Sequence, residues 1–247
     1  MRKIRILSVF VLLILIINSS FSKSSCNVSE LENLNISEVI YPEQKIEING
    51  IINVPSDYRT IAEAVKMAKK GDLIIISPGQ YFESEIEITK ELTISSEWKL
   101  TGEMSKIQET VIGAGDKILF IINSDGVEIS GLKIINGNHT LDINSNVSVI
   151  HNHFIKNLDA LSFESKGSGY AAYNIIENDR DDGIDLDITG SGNGNFKKEI
   201  TIEHNTIINS NDDGIEIRLF ANPNQNVTYT IRENMIIGSK NAGIQII

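Results

Sequence analysis

The sequence predicts an all-β solenoid, in which short strands coil around a continuous core and one short helix closes the N-terminal end. The first observation is a repeated segment that opens with an asparagine. These asparagines stand 22, 31 and 29 residues apart, at Asn152, Asn174, Asn205 and Asn234. The second is a glycine–isoleucine pair nine residues after each of the last three, at Gly183, Gly214 and Gly243. A repeat in the low twenties built from short β runs is typical of a coil, and the longer units carry insertions.

The strands follow from alternation within each repeat. Ile184, Leu186 and Ile188 would point to one side of a strand, and Asp185 and Asp187 to the other. Such short runs bury their apolar side only when equivalent runs stack about 4.8 Å apart along a coil. The four asparagines are predicted as scaffold, because asparagine tolerates tight left-handed turns and its amides can hydrogen-bond along a stack.

One amphipathic segment precedes the coils. Thr60 and Glu63 form a capping box, and Gly71 stops the helix. The apolar face comprises Ile61, Ala64, Val65 and Ala68. A helix over residues 60–69 is therefore predicted to cover the open end of the coil, where apolar side chains and an unpaired strand edge would otherwise be exposed.

The acidic residues of the repeats are predicted to gather on one sheet. If the glycines are in register, one outward column reads Asp142, Ser162, Asp185, Glu216 and Gln245. The next column reads Asn144, Glu164, Asp187, Arg218 and Ile247. The turn before this sheet supplies Asp159, Asp182 and Asp213, with Asp181 and Asp212 beside them. Carboxylates stacked about 5 Å apart repel unless they share protons or a cation, and Ca²⁺ prefers such ligands. The alternative is a solvated acidic face.

The segment "YRTIAEAVKMAKKGDLIIISPGQYFE" resembles the opening of the pectate-lyase-like right-handed parallel β-helix superfamily, and the repeats resemble its coils. The resemblance covers roughly residues 50–247 and implies that fold. It says little about activity, since the superfamily includes lyases, hydrolases, esterases, epimerases and binding proteins.

The string Asp-Asp-Gly-Ile-Asp at 181–185 is similar to one in polysaccharide lyase family 9. That resemblance implies a Ca²⁺ site made by Asp181, Asp182 and Asp185, with help from Asp159 of the preceding coil or from Asp213. It also implies Ca²⁺-dependent β-elimination on an acidic polysaccharide, in which a lysine removes the proton. Glu216 stands at the lysine's position, so the base stays open. Arg218 is the nearest cation, and Lys197 and Lys198, in an insertion, could also reach.

Two other functions remain open. Polygalacturonases of glycoside hydrolase family 28 resemble this chain in carrying aspartates on the same sheet, but their histidine-glycine and Arg-x-Lys companions are absent. A non-catalytic glycan-binding protein is the third class, with Phe196, Phe220 and Tyr229 as the nearby aromatic side chains. His151 and His204 each precede a scaffold asparagine and are predicted as turn or packing residues.

The net charge and the N-terminal segment limit the expected partners and location of the protein. The chain has 247 residues and a net charge of −11, which argues against nucleic acid and anionic membrane surfaces as partners. A basic start, an apolar run over 6–17 and Ser20 and Ser22 predict an export signal over residues 1–22. Residues 23–45 read as a tether, and 46–247 as the β-helix domain. We expect a secreted, periplasmic or cell-surface protein with no membrane contact beyond that signal.

The two ends raise further expectations. Cys26 is the only cysteine, and Lys23-Ser24-Ser25 fits a lipoprotein processing box badly, so lipid anchoring there is disfavoured. At the other end, "NAGIQII" stops inside the predicted outward-facing sheet with Ile244 and Ile246 uncovered. We expect either further coils, the favoured reading, or self-association at that end. A later coil could also hold the missing lysine.

Overall fold

The computed structural model describes residues 48–188, 197–219 and 226–247. Within these ranges the chain forms the predicted right-handed parallel β-helix, in which successive coils visit three parallel sheets in turn. The predicted signal peptide and tether lie outside the described residues. Among the described residues, no helix is long and apolar enough to cross a membrane.

The strands are numbered in chain order. The first sheet contains β1 (Ile51–Val54), β2 (Asp72–Ile76), β5 (Leu92–Ser96), β8 (Val127–Ser130), β11 (Asn146–Ile150), β14 (Ser168–Ala172), β17 (Lys197–Glu203) and β20 (Asn226–Arg232). The second contains β3 (Gly79–Phe82), β6 (Thr110–Gly113), β9 (Lys133–Ile135), β12 (His153–Ile155), β15 (Ile175–Glu177), β18 (Thr206–Ile208) and β21 (Met235–Ile237). The third contains β4 (Ile86–Ile88), β7 (Phe120–Ile122), β10 (Leu141–Ile143), β13 (Leu161–Phe163), β16 (Ile184–Ile188), β19 (Ile215–Leu219) and β22 (Ile244–Ile246).

The helix at the N-terminal end is confirmed as α1 (Ile61–Met67), slightly shorter than predicted. Thr60 Oγ1 accepts the Glu63 N–H at 3.1 Å, which is one half of the expected capping box. The Ile61 N–H donates to Glu83 at 2.8 Å. The carboxylate that follows β3 therefore bonds one of the N–H groups that have no partner within the first turn of the helix. Its buried face joins the core of the coil. Two shorter helices, α2 (Trp98–Thr101) and α3 (Ser105–Glu109), lie between β5 and β6.

The scaffold asparagines form a buried ladder in the turn between the first and second sheets. Asn174 Oδ1 accepts Nδ2 of Asn152 at 3.2 Å, and Asn205 Oδ1 accepts Nδ2 of Asn174 at 3.0 Å. Asn234 Oδ1 in turn accepts Nδ2 of Asn205 at 3.0 Å. One detail of the prediction is wrong, because the left-handed backbone belongs to the residue before each asparagine, for example His151 with φ of 55°. The asparagines are needed for their amides, not for their backbone.

His151 and His204 are packing residues at this turn, away from the third sheet. The ring of Tyr173 stacks between them, with centroids 5.0 Å from His151 and 4.8 Å from His204. Trp98 lies 4.8 Å from the His151 ring at the other side. Burial lowers the pKa of His151 to about 4, so this imidazole is neutral at physiological pH.

Candidate functional site: an acidic cluster on the third sheet

The predicted register of the third sheet is confirmed. Asp142 pairs with Ser162, Ser162 with Asp185, Asp185 with Glu216 and Glu216 with Gln245. In the next column Asp187 pairs with Arg218. Contrary to a freely solvated face, the centre of the first column is buried, with Asp185 only 2% exposed and Glu216 5%.

Glycine is required just before these strands because neighbouring coils approach closely there. A Cβ on Gly183 would lie 2.7 Å from the backbone oxygen of Gly214, and one on Gly214 would lie 2.6 Å from that of Gly243. Neither glycine has a left-handed backbone, so the close contact alone excludes a side chain. The contact holds the preceding turn, with its aspartates, against the next coil.

Aspartates of that turn form a second ladder that the sequence did not predict. Asp159 Oδ1 accepts the Asp182 N–H at 3.0 Å, Asp182 Oδ1 accepts the Asp213 N–H at 2.8 Å, and Asp213 Oδ1 accepts the Ala242 N–H at 2.7 Å. One oxygen of each carboxylate is therefore structural. Its second oxygen is left for other partners, and the oxygen Asp213 Oδ2 is buried without one.

Three groups of side chains in this region could hold a metal ion, each with donor atoms within 4.8 Å of one another. They are Asp181–Asp182–Asp212, Asp182–Asp185–Glu216 and His139–Asp159–Asp185. Four of the five predicted metal ligands occur in these groups, but they are divided among them: Asp181 groups with Asp182, Asp182 with Asp185, and Asp159 with Asp185. Among the described residues, no group contains the predicted set Asp181–Asp182–Asp185 as a whole. Asp213, fully buried, belongs to none of these groups in the described part of the chain.

The buried carboxylates of the cluster are poorly compensated. Burial, with a contribution from Glu216, Asp159 and Asp181, raises the pKa of Asp182 to about 8. Burial likewise raises the pKa of Asp185 to about 7 and that of Asp159 to about 6. Near neutral pH the cluster therefore retains protons or requires a cation, as the sequence suggested.

Arg218 lies inside the cluster but does not have the properties of a base. Its guanidinium contacts Asp185 at 3.2 Å and Asp187 at 3.3 Å, and it also pairs with Glu216. Although partial burial opposes its charge, these carboxylates raise the pKa of Arg218 above its ordinary value. A guanidinium held in this way remains protonated and compensates the carboxylates.

The other two candidate bases lie on the first sheet, on β17. Lys198 is 6% exposed and shares its side of the strand with the core residues Ile200 and Ile202. Its Nζ has no hydrogen-bond partner, and burial lowers its pKa. The structure therefore does not bring Lys198 to the carboxylates. Lys197 begins the strand, and its side chain falls outside the described part.

The aromatic candidates do not form a platform in the described residues. Tyr229 pairs with Ile200 in the first sheet and packs against the core, with its hydroxyl buried. Phe196 and Phe220 lie outside the described residues.

His139 is the residue that sequence reasoning missed. Its Nδ1 lies 3.1 Å from Asp159 Oδ2, and its side chain is 43% exposed. The signal was available, because His139 precedes β10 by two residues, as Asp159 precedes β13 and Asp182 precedes β16. Extending the register one coil towards the N-terminus places His139 at the head of the aspartate column.

The fold and this cluster define a right-handed parallel β-helix protein with a buried acidic site on its third sheet. The chain belongs to the family described as protein of unknown function (DUF1565), which it matches over residues 48–247. Searches of curated proteins and of solved structures found no match.

Proposed function

We propose that this protein is exported, binds Ca²⁺ at the acidic turn of its third sheet and holds an acidic polysaccharide there. The observation that carries the proposal is the group Asp181–Asp182–Asp212, whose carboxylate oxygens lie within 4.8 Å of one another. Asp182 is buried, whereas Asp181 and Asp212 are partly exposed and face a ligand more readily.

The donor set of this group suits Ca²⁺. All three side chains offer oxygen, which Ca²⁺ prefers, and their partial exposure leaves room for water or sugar oxygens among its 6–8 ligands. In the described part of the chain the only arginine pairing in the cluster is that of Arg218 with Asp185, Asp187 and Glu216. The Asp181–Asp182–Asp212 group is thus the part whose charge Arg218 does not neutralise.

Bound Ca²⁺ would bridge to a uronate carboxylate and make the adjacent carbon-bound proton more acidic. The chain's own contribution at the rim is Arg218, one third exposed, which can pair with a further carboxylate of an acidic sugar chain. The Asp182 carboxylate is oriented by its bond to the Asp213 N–H. These features support binding of a polyanion by a chain of net charge −11.

Elimination needs a proton acceptor, and the described residues of the cluster include no lysine that could act as one. Glu216 occupies the column position at which polysaccharide lyase family 9 has its lysine, and it is paired with Arg218. We therefore propose Ca²⁺-dependent binding as the primary function and lyase activity as the finer possibility that the experiment decides.

Hydrolysis by an inverting pair of carboxylates is less well supported. The oxygens of Asp182, Asp185 and Glu216 lie within 4.8 Å of one another, whereas inverting glycosidases separate their carboxyl groups by about 6.5–9.5 Å. The three residues are also at most 5% exposed, which leaves little room for a water between them and a sugar.

The test measures Ca²⁺ binding by calorimetry and then screens polyuronates with and without Ca²⁺. We expect the native chain to bind Ca²⁺ and to retain a polyuronate only with it, and Asp182→Asn to lose both. Asparagine keeps the oxygen that accepts the Asp213 N–H, so the variant should fold. The matched control is Glu87→Gln, an exposed residue of the same outward column in β4.

The products separate the three classes. An unsaturated, ultraviolet-absorbing product shows elimination, new reducing ends without it show hydrolysis, and retention without either shows binding alone. Absence of Ca²⁺ binding by the native chain would contradict the proposal.

A further inference from the structure

His139, Asp159 and Asp185 form a group on the N-terminal side of the cluster that does not include Asp182. His139 Nδ1 lies 3.1 Å from Asp159 Oδ2 and 3.4 Å from Ser162 Oγ. The two carboxylates are almost fully buried, each at 2% exposure, whereas His139 is partly exposed. Two buried carboxylates therefore form the inner side of the group, and a partly exposed imidazole forms its outer side.

One buried oxygen of this group has no partner. Asp185 Oδ2 is bound by Arg218 at 3.2 Å, but Asp185 Oδ1 has no hydrogen-bond partner. Asp159 Oδ1 is occupied by the Asp182 N–H, whereas Asp159 Oδ2 lies against His139 Nδ1. An unpartnered carboxylate oxygen away from water is costly, and a cation between these atoms would remove that cost.

The chemistry of the donors differs from that of the Ca²⁺ group. One imidazole nitrogen with two carboxylates is a ligand set of Zn²⁺ and of other first-row transition ions, whereas Ca²⁺ prefers oxygen alone. The donor atoms lie within 4.8 Å of one another, and bonds of about 2.1 Å require roughly 3.4 Å between ligands. Rotation of the partly exposed His139 side chain can bring its nitrogen closer to Asp185, and small rotations of the two aspartate side chains supply the rest.

We propose that His139, Asp159 and Asp185 bind a divalent transition-metal ion such as Zn²⁺, at a site separate from the Ca²⁺ group around Asp182. Three protein ligands leave a coordination position open, and the exposed side of His139 places that position at the surface of the third sheet. A water or a sugar hydroxyl can occupy it. The proposal goes beyond the proposed function, because it concerns another ion and other ligands.

The experiment uses the full chain, purified without a histidine tag and stripped with a chelator. Co²⁺ is the optical probe, Zn²⁺ is the competitor, and Ca²⁺ is titrated in parallel by calorimetry. We expect one equivalent of Co²⁺ to give a visible absorption band that Zn²⁺ abolishes. His139→Ala should weaken Co²⁺ binding at least about ten-fold, because losing a metal ligand costs at least as much affinity as losing a residue that hydrogen-bonds to a ligand. Ca²⁺ binding should be unchanged in this variant.

Two further variants separate this site from its neighbours. His204→Ala removes another partly exposed imidazole, which lies 2.8 Å from a carboxylate oxygen of Glu233, and this variant should bind Co²⁺ like the native chain. Asp182→Asn should bind Co²⁺ normally while it loses Ca²⁺. Native-like Co²⁺ binding by His139→Ala, an equal loss in His204→Ala, or no Co²⁺ binding by the native chain would each overturn the proposal. Failure of Ca²⁺ binding alone would overturn only the proposed function.

Discussion

Asn205 provides the sharpest test of how the coil is held together. Its side chain is 1% exposed in the middle of the asparagine ladder. Oδ1 accepts the backbone N–H and the Nδ2 of Asn174, both at 3.0 Å. Nδ2 donates to the Ala171 oxygen at 2.9 Å, to the Glu203 oxygen at 3.1 Å and to Asn234 Oδ1 at 3.0 Å. Asn205→Ala removes all five hydrogen bonds at once.

The magnitude follows from what is left unpaired. A hydrogen bond contributes about 0.5–1.5 kcal/mol net, and a buried group stranded without a partner costs about 1–3 kcal/mol. The Asn174 backbone N–H loses its acceptor in a buried turn, and the shorter Ala side chain leaves no replacement, whereas Asn174 Nδ2 keeps its bond to the Val149 oxygen. Allowing for relaxation, we expect the free energy of unfolding to fall by ~3–5 kcal/mol, a large share of the stability of a typical domain.

The assay is urea unfolding followed by circular dichroism, with the midpoint and slope fitted separately. Asn211→Ala is the matched control, because Asn211 is exposed and, among the described residues, its side chain is bonded to the Lys240 ammonium alone. That control should change stability by less than about 0.5 kcal/mol. A loss below about 1 kcal/mol in Asn205→Ala, or losses of equal size in both variants, would refute the view that the ladder clamps successive coils.

Three further predictions concern the cluster and its supporting turn. Without a divalent ion, the melting temperature should decrease as the pH is raised from about 4 to about 8. The folded-state pKa values of Asp182 (about 8) and Asp185 (about 7) lie above the unfolded value of about 3.9, so the stability that comes from their protonation in the folded state is lost over that range. Scanning calorimetry measures the melting temperature, and an increase over that range would contradict the prediction. Arg218→Gln should lower stability by ~1–3 kcal/mol at pH 8 and by less at pH 5, because Asp185, one of the carboxylates paired with Arg218, has a pKa of about 7 and is protonated at pH 5. Urea titrations at both pH values measure the difference, and equal losses would count against the electrostatic role. Gly214→Ala should lower the free energy of unfolding by ~1–3 kcal/mol in the same assay, because the new Cβ would lie 2.6 Å from a backbone oxygen. Gly243→Ala should be nearly neutral, because the nearest atom to its new Cβ is 3.9 Å away. If both substitutions were tolerated, the coils would be able to separate at this turn.

The coil and its register could be predicted because a solenoid repeats one position once per turn. Period-two alternation gave the strands, and the glycine–isoleucine pairs aligned Asp185 with Glu216 as the structure has them. The cap over the N-terminal end was equally readable, since Thr60 and an apolar face mark α1. What repeats along the chain becomes a column in space, and this needs no knowledge of side-chain conformations.

The contents of the site could be predicted less well. A carboxylate that accepts a backbone N–H looks in sequence like a metal ligand, so the structural oxygens of Asp159, Asp182 and Asp213 were not foreseen. Lys198 follows an insertion that interrupts the register, although its parity with Ile200 would have placed it towards the core. His139 was missed because its repeat lacks the asparagine that marked the others.

The aspartate ladder also explains how a surface made of repeats can build a defined site. Each ladder carboxylate uses Oδ1 to hold the next coil and thereby fixes the direction of Oδ2, so the second oxygen is oriented without further support. The same column begins with His139 and the outward column brings Asp185 and Glu216 beside it, so the coil spacing itself sets the separation of the donor atoms. A Cβ on Gly183 would lie 2.7 Å from the backbone oxygen of Gly214, so the coils are in close contact at this turn and the carboxylates are held near one another. The packing that stabilises the coil therefore concentrates negative charge at one place, and a bound cation is the partner that this arrangement favours.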